Sequence, residues 1–181
     1  MSDKIKNTAA IVLAAGKGVR MKSDLPKVLH DIKGKPIIKY LADTLKEMGL
    51  DKAVFVVGYK RHLVEDALAD YGYDFAVQEK QLGTGHAVMM AEEALSGFEG
   101  NVIVLAGDVP FIRRETLESL IDLHEKKGAV ATVLTSQPPD PSGYGRVVKN
   151  SQDFVEKIVE HKDCSDEELK IGEINTGTFV F

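Results

Sequence analysis

The sequence has 181 residues, 44% of them hydrophobic and 28% charged, which is typical of one well-buried globular domain and not of a disordered chain. The formal net charge of −5 argues against general nucleic-acid binding through a basic surface. No apolar run approaches the roughly 20 residues needed to span a membrane, and the lone Cys164 favours a reducing compartment, which we take as the cytoplasm.

The first two-thirds of the sequence alternates strand and helix patterns. Runs of Val, Ile, Leu and Ala predict strands at 9–15, 53–59, 74–79 and 101–110. Apolar residues at helical spacing predict helices over 36–49, 61–72, 84–95 and 114–128, with Thr84 as the expected N-cap of the third. Near-continuous apolar strands separated by helices predict an α/β fold with a mostly parallel central sheet and helices on both faces.

After Gly128 the pattern changes to strands with little helix between them. We expect strands at 129–136, 144–150, 153–161 and 174–181, with a short helix or turn at 164–170. This predicts a mixed-sheet second half of the same domain. The last three residues read "FVF", an apolar ending from which we expect a single domain over 1–181 that is C-terminally incomplete.

Three polar, glycine-containing loops follow strands of the predicted parallel sheet, at 16–27, 78–85 and 107–110. Ligands of such sheets bind at the carboxyl ends of the strands, where these loops begin. The sequence therefore predicts that the three loops converge on one crevice.

The first loop, in "LAAGKGVRMKSDLPKVLH" (13–30), combines glycine with positive charge. Residues 17–39 carry a net charge of +5, so the rest of the chain sums to −10. Gly16 and Gly18 allow backbone N–H groups to approach an anion closely. The planar guanidinium of Arg20 can bind two phosphate oxygens, and the flexible side chain of Lys27 supplies a second positive charge. The loop is neither the dinucleotide fingerprint nor a P-loop. We expect a polyphosphate ligand; a turn among solvated lysines is the alternative.

The other two loops carry carboxylate and amide groups. Asp108 in "GDVP" is a candidate Mg²⁺ ligand, or alternatively a turn or helix-capping aspartate. In "QEKQLGTGH" (78–86), two glutamine amides are suited to the edge of a nucleobase, or alternatively the stretch is a glycine turn before a capped helix. We interpret His86 as a first-turn helix residue, and a functional role is the alternative.

Polar residues also interrupt the apolar strands of the second half. Gly145, Glu160 and Asn175 lie in "GYGRVV", "VEHKD" and "EINTG". They suit the hydroxyl and amide groups of a sugar, and a structural hydrogen-bond network is the alternative.

Seven motifs in chain order, including "LAAGKGVRM", "QLGTGHAV", "GDVP", "GYGRVV", "IVEHKDC" and "EINTG", resemble the sugar-phosphate nucleotidyltransferases. Within that family they are similar to the uridyltransferase domains of bacterial UDP-N-acetylglucosamine pyrophosphorylases. The resemblance implies a Rossmann-like fold that binds UTP, N-acetylglucosamine 1-phosphate and Mg²⁺ and releases pyrophosphate. It implies nucleotide contacts from Leu13, Ala14, Gly16, Gln78, Gln81, Gly83 and Thr84. It implies catalytic roles for Arg20 and Lys27 on phosphates and Asp108 on the metal, and sugar-phosphate binding by Gly145, Glu160 and Asn175.

The sequence departs from this family in places. Val19 stands where the family usually has threonine, and Ala106 precedes "GD" where some members carry an aromatic residue. The family's second metal ligand, an asparagine, falls beyond residue 181. We find no counterpart of the β-helix acetyltransferase domain of bifunctional members in these 181 residues, so we expect a monomer or weak oligomer.

Two other functions remain open: transfer to another sugar phosphate or nucleotide, and nucleotide sensing without catalysis. The joint presence of Arg20, Lys27 and Asp108 argues against a sensor.

Overall fold

Ten strands and five α-helices make up the computed structural model over the residues that it describes, 7–18, 21–50 and 52–181. The strands are β1 (Thr8–Leu13), β2 (Asp31–Ile32), β3 (Lys35–Pro36), β4 (Ala53–Val57), β5 (Asp74–Val77), β6 (Asn101–Ala106), β7 (Thr132–Ser136), β8 (Arg146–Lys149), β9 (Val155–Val159) and β10 (Ile174–Val180). The helices are α1 (Ile37–Met48), α2 (Arg61–Leu68), α3 (Thr84–Met89), α4 (Arg114–Lys127) and α5 (Asp166–Leu169). Short 3-10 turns cover Lys27–Leu29, Ala69–Tyr71 and His161–Asp163.

Eight of these strands form one sheet, in the order β5-β4-β1-β6-β10-β8-β9, with β7 paired to β10. Four neighbouring strands of this sheet, β5, β4, β1 and β6, are parallel. Leu13 at the end of β1 lies opposite Val56 in β4 and Ala106 in β6. These strands therefore finish nearly level, and the loops that leave them start from one edge of the sheet.

The second half of the sheet is antiparallel. β10 pairs with β6, β7 and β8, and β8 pairs with β9. The register between β10 and β7 shifts between Asn175 and Thr178, which marks a bulge. The predicted mixed second half is confirmed.

Two hydrophobic clusters cover the two faces of the sheet. Successive strand residues point to opposite faces, so Val12 packs with helices α1, α2 and α4 while its neighbour Ile11 packs with Ala87 of α3 and Ala91. The predicted helices on both faces are thereby confirmed. None of the described helices is both long and apolar enough to cross a membrane.

The prediction for the third helix is wrong in two respects. Gly83 (φ 105°), and not Thr84, is the N-cap, and no side chain there caps the helix. The helix also ends at Met89, because the backbone continues in turns whose N–H groups bond carbonyls three residues back, as from Ala91 to Val88.

Candidate functional site

A cavity of about 380 Å³ opens at the carboxyl edge of β1, β5 and β6. All three predicted loops contribute to it. Its wall includes the predicted residues Leu13, Ala14, Gly16, Lys27, Gln78, Gln81, Gly83, Thr84 and Asp108. A larger hollow of about 1040 Å³ lies beside the outer strand β5 and contains none of these residues.

Lys27 and Asp108 form an ion pair at this cavity. Lys27 begins a 3-10 turn whose next two residues, Val28 and Leu29, are buried in the core and fix its position. Asp108 follows β6 directly after Gly107. The Lys27 and Asp108 side chains remain 45% and 32% exposed, so both charges can reach a ligand in the cavity.

Two glycines allow the loops to pack closely around this pair. A Cβ on Gly18 (φ 66°) would lie 2.7 Å from the Cβ of Lys27. A Cβ on Gly107 would lie 2.9 Å from the carbonyl oxygen of Leu13, to which the Gly107 N–H donates. A larger residue at either position would push the loops apart.

Side-chain amides fix the 78–86 loop. Gln78 is 4% exposed, and its Nε2 donates to the Gly83 carbonyl and contacts Nδ1 of His86, both at 3.0 Å. Nε2 of Gln81 donates to the Ala15 carbonyl at 2.8 Å, which ties this loop to the first one. The NH₂ groups of both amides are thus used within the protein.

Gly145, Glu160 and Asn175 lie together, outside the wall of the 380 Å³ cavity. The Asn175 N–H donates to the Gly145 carbonyl at 2.9 Å, and a Cβ on Gly145 would lie 3.6 Å from Oε1 of Glu160. Three strand ends of the antiparallel half therefore bring the predicted sugar-phosphate residues to one place.

Sequence reasoning missed the buried Arg146 beside this group. Arg146 is 2% exposed, and its guanidinium donates to the carbonyls of Pro141 and Tyr144, both at 2.6 Å. These bonds hold the turn that leads into Gly145. The signal in the sequence was an arginine within the apolar run "GRVV".

Sequence reasoning also missed an ion pair between the β2–β3 hairpin and α1. Lys35 forms an ion pair with Asp43 of α1, and the Tyr71 hydroxyl donates to the same carboxylate at 2.6 Å. Burial raises the pKa of Asp43, but the hydrogen bonds from Lys35 and Tyr71 lower it more, so it lies below its ordinary value. Burial, assisted by the charge of Asp43, raises the pKa of Tyr73 to about 12. The carboxylate thus stays ionised and keeps the β2–β3 hairpin on α1.

The predicted catalytic residue Arg20 and its neighbour Val19 lie outside the described residues. Among the residues that the structure describes, no group of three or more His, Cys, Asp or Glu side chains could hold a metal. A cation held by the carboxylate of Asp108 together with substrate phosphates would match the way in which Mg²⁺ is commonly bound. The donor chemistry fits that ion.

This sheet edge, with a glycine-rich loop facing a cation and a carboxylate, is suited to holding a nucleoside triphosphate. The family model described as the MobA-like NTP transferase domain matches residues 10–162. The chain belongs to that family, which confirms the predicted class of nucleotidyltransferases.

Individual curated relatives show which proteins of this family the chain resembles. The chain is 49% identical over 177 residues to the Bifunctional protein GlmU of Bacillus cereus, of Bacillus thuringiensis and of Bacillus anthracis. Each alignment covers 98% of this chain and 38% of the relative, so the chain spans well under half the length of the curated relatives it matches.

A solved structure supports the fold. A UDP-glucose pyrophosphorylase complexed with UDP-glucose superposes with a TM-score of 0.74 at 22% identity, over 96% of this chain and 75% of that one. The predicted nucleotidyltransferase fold is confirmed by this similarity.

Proposed function

We propose that this chain transfers uridylyl from UTP to N-acetylglucosamine 1-phosphate, giving UDP-N-acetylglucosamine and pyrophosphate. The observation that carries the proposal is the cavity where the glycine loop, Lys27, Asp108 and both glutamines meet. The identity to the GlmU proteins across nearly the whole chain supports it. A pyrophosphorylase of the same fold, solved with a uridine diphosphate sugar, supports it further.

The reaction is an in-line displacement. A phosphate oxygen of the sugar phosphate forms a bond to the α-phosphorus of UTP, while the bond from that phosphorus to the leaving pyrophosphate breaks. The attacking phosphate is already ionised near neutral pH, so no general base is required. Positioning and charge neutralisation supply the catalysis.

Each end of the ion pair has a separate role. Lys27, held by its buried neighbours and by Gly18, presents its ammonium group to the phosphates. Asp108 would hold Mg²⁺, which when bound supplies positive charge to the phosphate oxygens. Arg20 is proposed as the second phosphate-binding cation on the sequence alone.

We place the sugar phosphate beside Gly145, Glu160 and Asn175. Their clustering supports this, since a carboxylate, an amide and a position without a side chain suit hydroxyl and N-acetyl groups. A bulkier residue than glycine at 145 would approach Ile158 and Glu160 and narrow that space.

We also propose that the chain forms one nucleotidyltransferase domain and acts in the cytoplasm as a monomer or weak oligomer. Both hydrophobic clusters pack on the same sheet, which supports one domain. The lone Cys164 supports a reducing compartment.

The test is pyrophosphate release with UTP, Mg²⁺ and N-acetylglucosamine 1-phosphate. We expect this combination to exceed those with CTP, GTP or dTTP, and those with glucose 1-phosphate. Equal rates with all sugar phosphates would contradict the proposed acceptor, and absence of release with every pair would contradict catalysis by this chain.

A variant pair tests the sugar-phosphate assignment. Glu160→Gln should raise KM for the sugar phosphate and leave KM for UTP unchanged. Glu156→Gln is the matched control, because Glu156 is also an exposed carboxylate of the β9 segment but is not among the clustered residues. Equal effects of the two substitutions would remove Glu160 from the site.

A further inference from the structure

The side-chain amide of Gln78 is held by two groups at once. Its Nε2 lies 3.0 Å from the carbonyl oxygen of Gly83 and 3.0 Å from Nδ1 of His86. A carbonyl oxygen can only accept, so the contact with Gly83 settles which end of the amide carries the nitrogen. Both hydrogens of this NH₂ group are then used, because the second one points to His86.

The same geometry assigns the tautomer of His86. Since Nε2 of Gln78 offers only hydrogens, Nδ1 of His86 must accept, and the neutral imidazole carries its own hydrogen on Nε2. A hydrogen on Nδ1 would face the hydrogens of the amide and break this contact. His86 is not among the described residues that line the 380 Å³ cavity, whereas Gln78 is.

The acceptor Oε1 of Gln78 is what remains for a ligand. Gln78 lines the cavity, and its NH₂ group is already committed. A base that bonds to this side chain must therefore present a donor. Uracil presents its ring N3–H, whereas cytosine presents an acceptor at N3 and has its donor one position away, where uracil has O4.

We propose that His86 is a positioning residue that, together with the Gly83 carbonyl, holds Gln78 as a hydrogen-bond acceptor and so favours uracil over cytosine. The proposal rests on the proposed function for its nucleotide. It adds a role to His86, which the structure places in the first turn of α3 as the sequence predicts. Thymine shares the ring N3–H, so discrimination between UTP and dTTP does not depend on this contact.

Two nearly isosteric variants test the role of Nδ1. In His86→Asn, the side-chain Oδ1 can occupy the place of Nδ1 and still accept a hydrogen bond from Gln78. His86→Leu introduces a side chain of nearly the same shape that has no hydrogen-bond acceptor. Loss of one such hydrogen bond is worth about 0.5–1.5 kcal/mol, or roughly two- to tenfold. We expect His86→Leu to lower the UTP-over-CTP ratio of kcat/KM by up to about tenfold, through KM for UTP, while His86→Asn stays near wild type.

The ratio of kcat/KM for UTP to kcat/KM for dTTP serves as the internal control. It should be unchanged in both variants, because both bases offer the same donor. Equal behaviour of His86→Asn and His86→Leu would overturn the proposal, as would a parallel change in the UTP-over-dTTP ratio, since either result indicates general damage to the loop.

A spectroscopic measurement tests the geometry without turnover and without any variant. The ¹⁵N chemical shifts of the His86 imidazole in the wild-type protein at pH 8 should show hydrogen on Nε2 and a bare Nδ1. Hydrogen on Nδ1 would overturn the proposal. If the chain releases no pyrophosphate and the proposed function fails, two measurements still decide the role of His86. One is this ¹⁵N spectrum, and the other is the ratio of the Kd values for UTP and CTP, compared between the wild type and the two His86 variants.

Discussion

Lys27 and Asp108 are 81 positions apart in the chain, and their side chains form an ion pair across the cavity. The pairing is possible because β1 and β6 are neighbouring parallel strands, with Leu13 opposite Ala106, so the loops that follow them leave the sheet side by side. The proposed phosphate-binding cation and the proposed metal ligand thus hold each other in place.

Removing the cation tests its role in turnover. Lys27→Met should lower pyrophosphate release by roughly 10²-fold, the scale for losing a preorganised charge-stabilising group. The melting temperature should change little, because a partly exposed ion pair contributes little to stability. Lys22→Met, which removes an exposed cation from the same loop, is the control. Turnover of Lys27→Met within a few-fold of wild type would exclude Lys27 from the site.

Neutralising the carboxylate tests the metal. Asp108→Asn keeps the shape of the side chain but removes the charge that Mg²⁺ prefers, so the Mg²⁺ concentration for half-maximal turnover should rise at least about tenfold. A magnesium titration of turnover measures this. Asp24→Asn, an exposed carboxylate of the first loop, should leave the titration unchanged. An unshifted curve for Asp108→Asn would remove this residue from the metal site.

Two glycine variants separate backbone strain from the contact with Lys27. Gly18 and Gly72 have similar left-handed backbones, with φ of 66° and 71°, so alanine at either should cost roughly 1 kcal/mol of unfolding free energy. A Cβ on Gly72 meets nothing within 4 Å, whereas one on Gly18 lies 2.7 Å from the Cβ of Lys27.

We therefore expect Gly72→Ala to keep wild-type turnover, and Gly18→Ala to lose both additional stability and turnover. Urea unfolding and pyrophosphate release measure the two effects. Equal losses of stability and turnover in the two variants would contradict this prediction. They would mean that the first loop can move away from Lys27 without affecting stability or turnover.

Glu173 should make stability depend on pH. Burial raises its pKa, but hydrogen bonds from Lys149 at 2.8 Å and Thr135 at 2.6 Å outweigh this, so the pKa lies below its ordinary value. A depressed carboxyl pKa adds stability above the unfolded-state pKa of about 4.3, and this stability disappears as the pH falls through the folded-state pKa.

Glu173→Gln should accordingly lower the unfolding free energy by about 1 kcal/mol at pH 7, and the difference from wild type should shrink below about pH 4. Thermal unfolding at a series of pH values measures it. Glu167→Gln, at an exposed ion pair of α5, should show a smaller effect at pH 7. If the difference in unfolding free energy between Glu173→Gln and wild type stayed constant down to pH 3, the lowered pKa of Glu173 would be contradicted.

The sequence by itself determined most of the elements and the edge of the sheet that carries the candidate site. Helix α1 follows Pro36 and is capped by Gly49 (φ 70°), and β4 is buried throughout, as their local patterns predict. Because parallel strands present their carboxyl ends together, the convergence of the three loops was also predictable from the pattern. The Thr84 cap was not, because a side-chain preference cannot show that Gly83 will adopt φ 105°.

Only the tertiary structure decided which groups within those loops meet. The ion pair of Lys27 with Asp108, the contact of Gln78 with His86 and the bonds of Arg146 to the turn before Gly145 all depend on strand order and loop packing. Backbone preferences act over a few neighbouring residues, whereas these contacts depend on where separate segments come to lie. The sequence therefore shows which chemistry is present, and the fold shows which atoms of Gln78 and Lys27 remain available for a ligand.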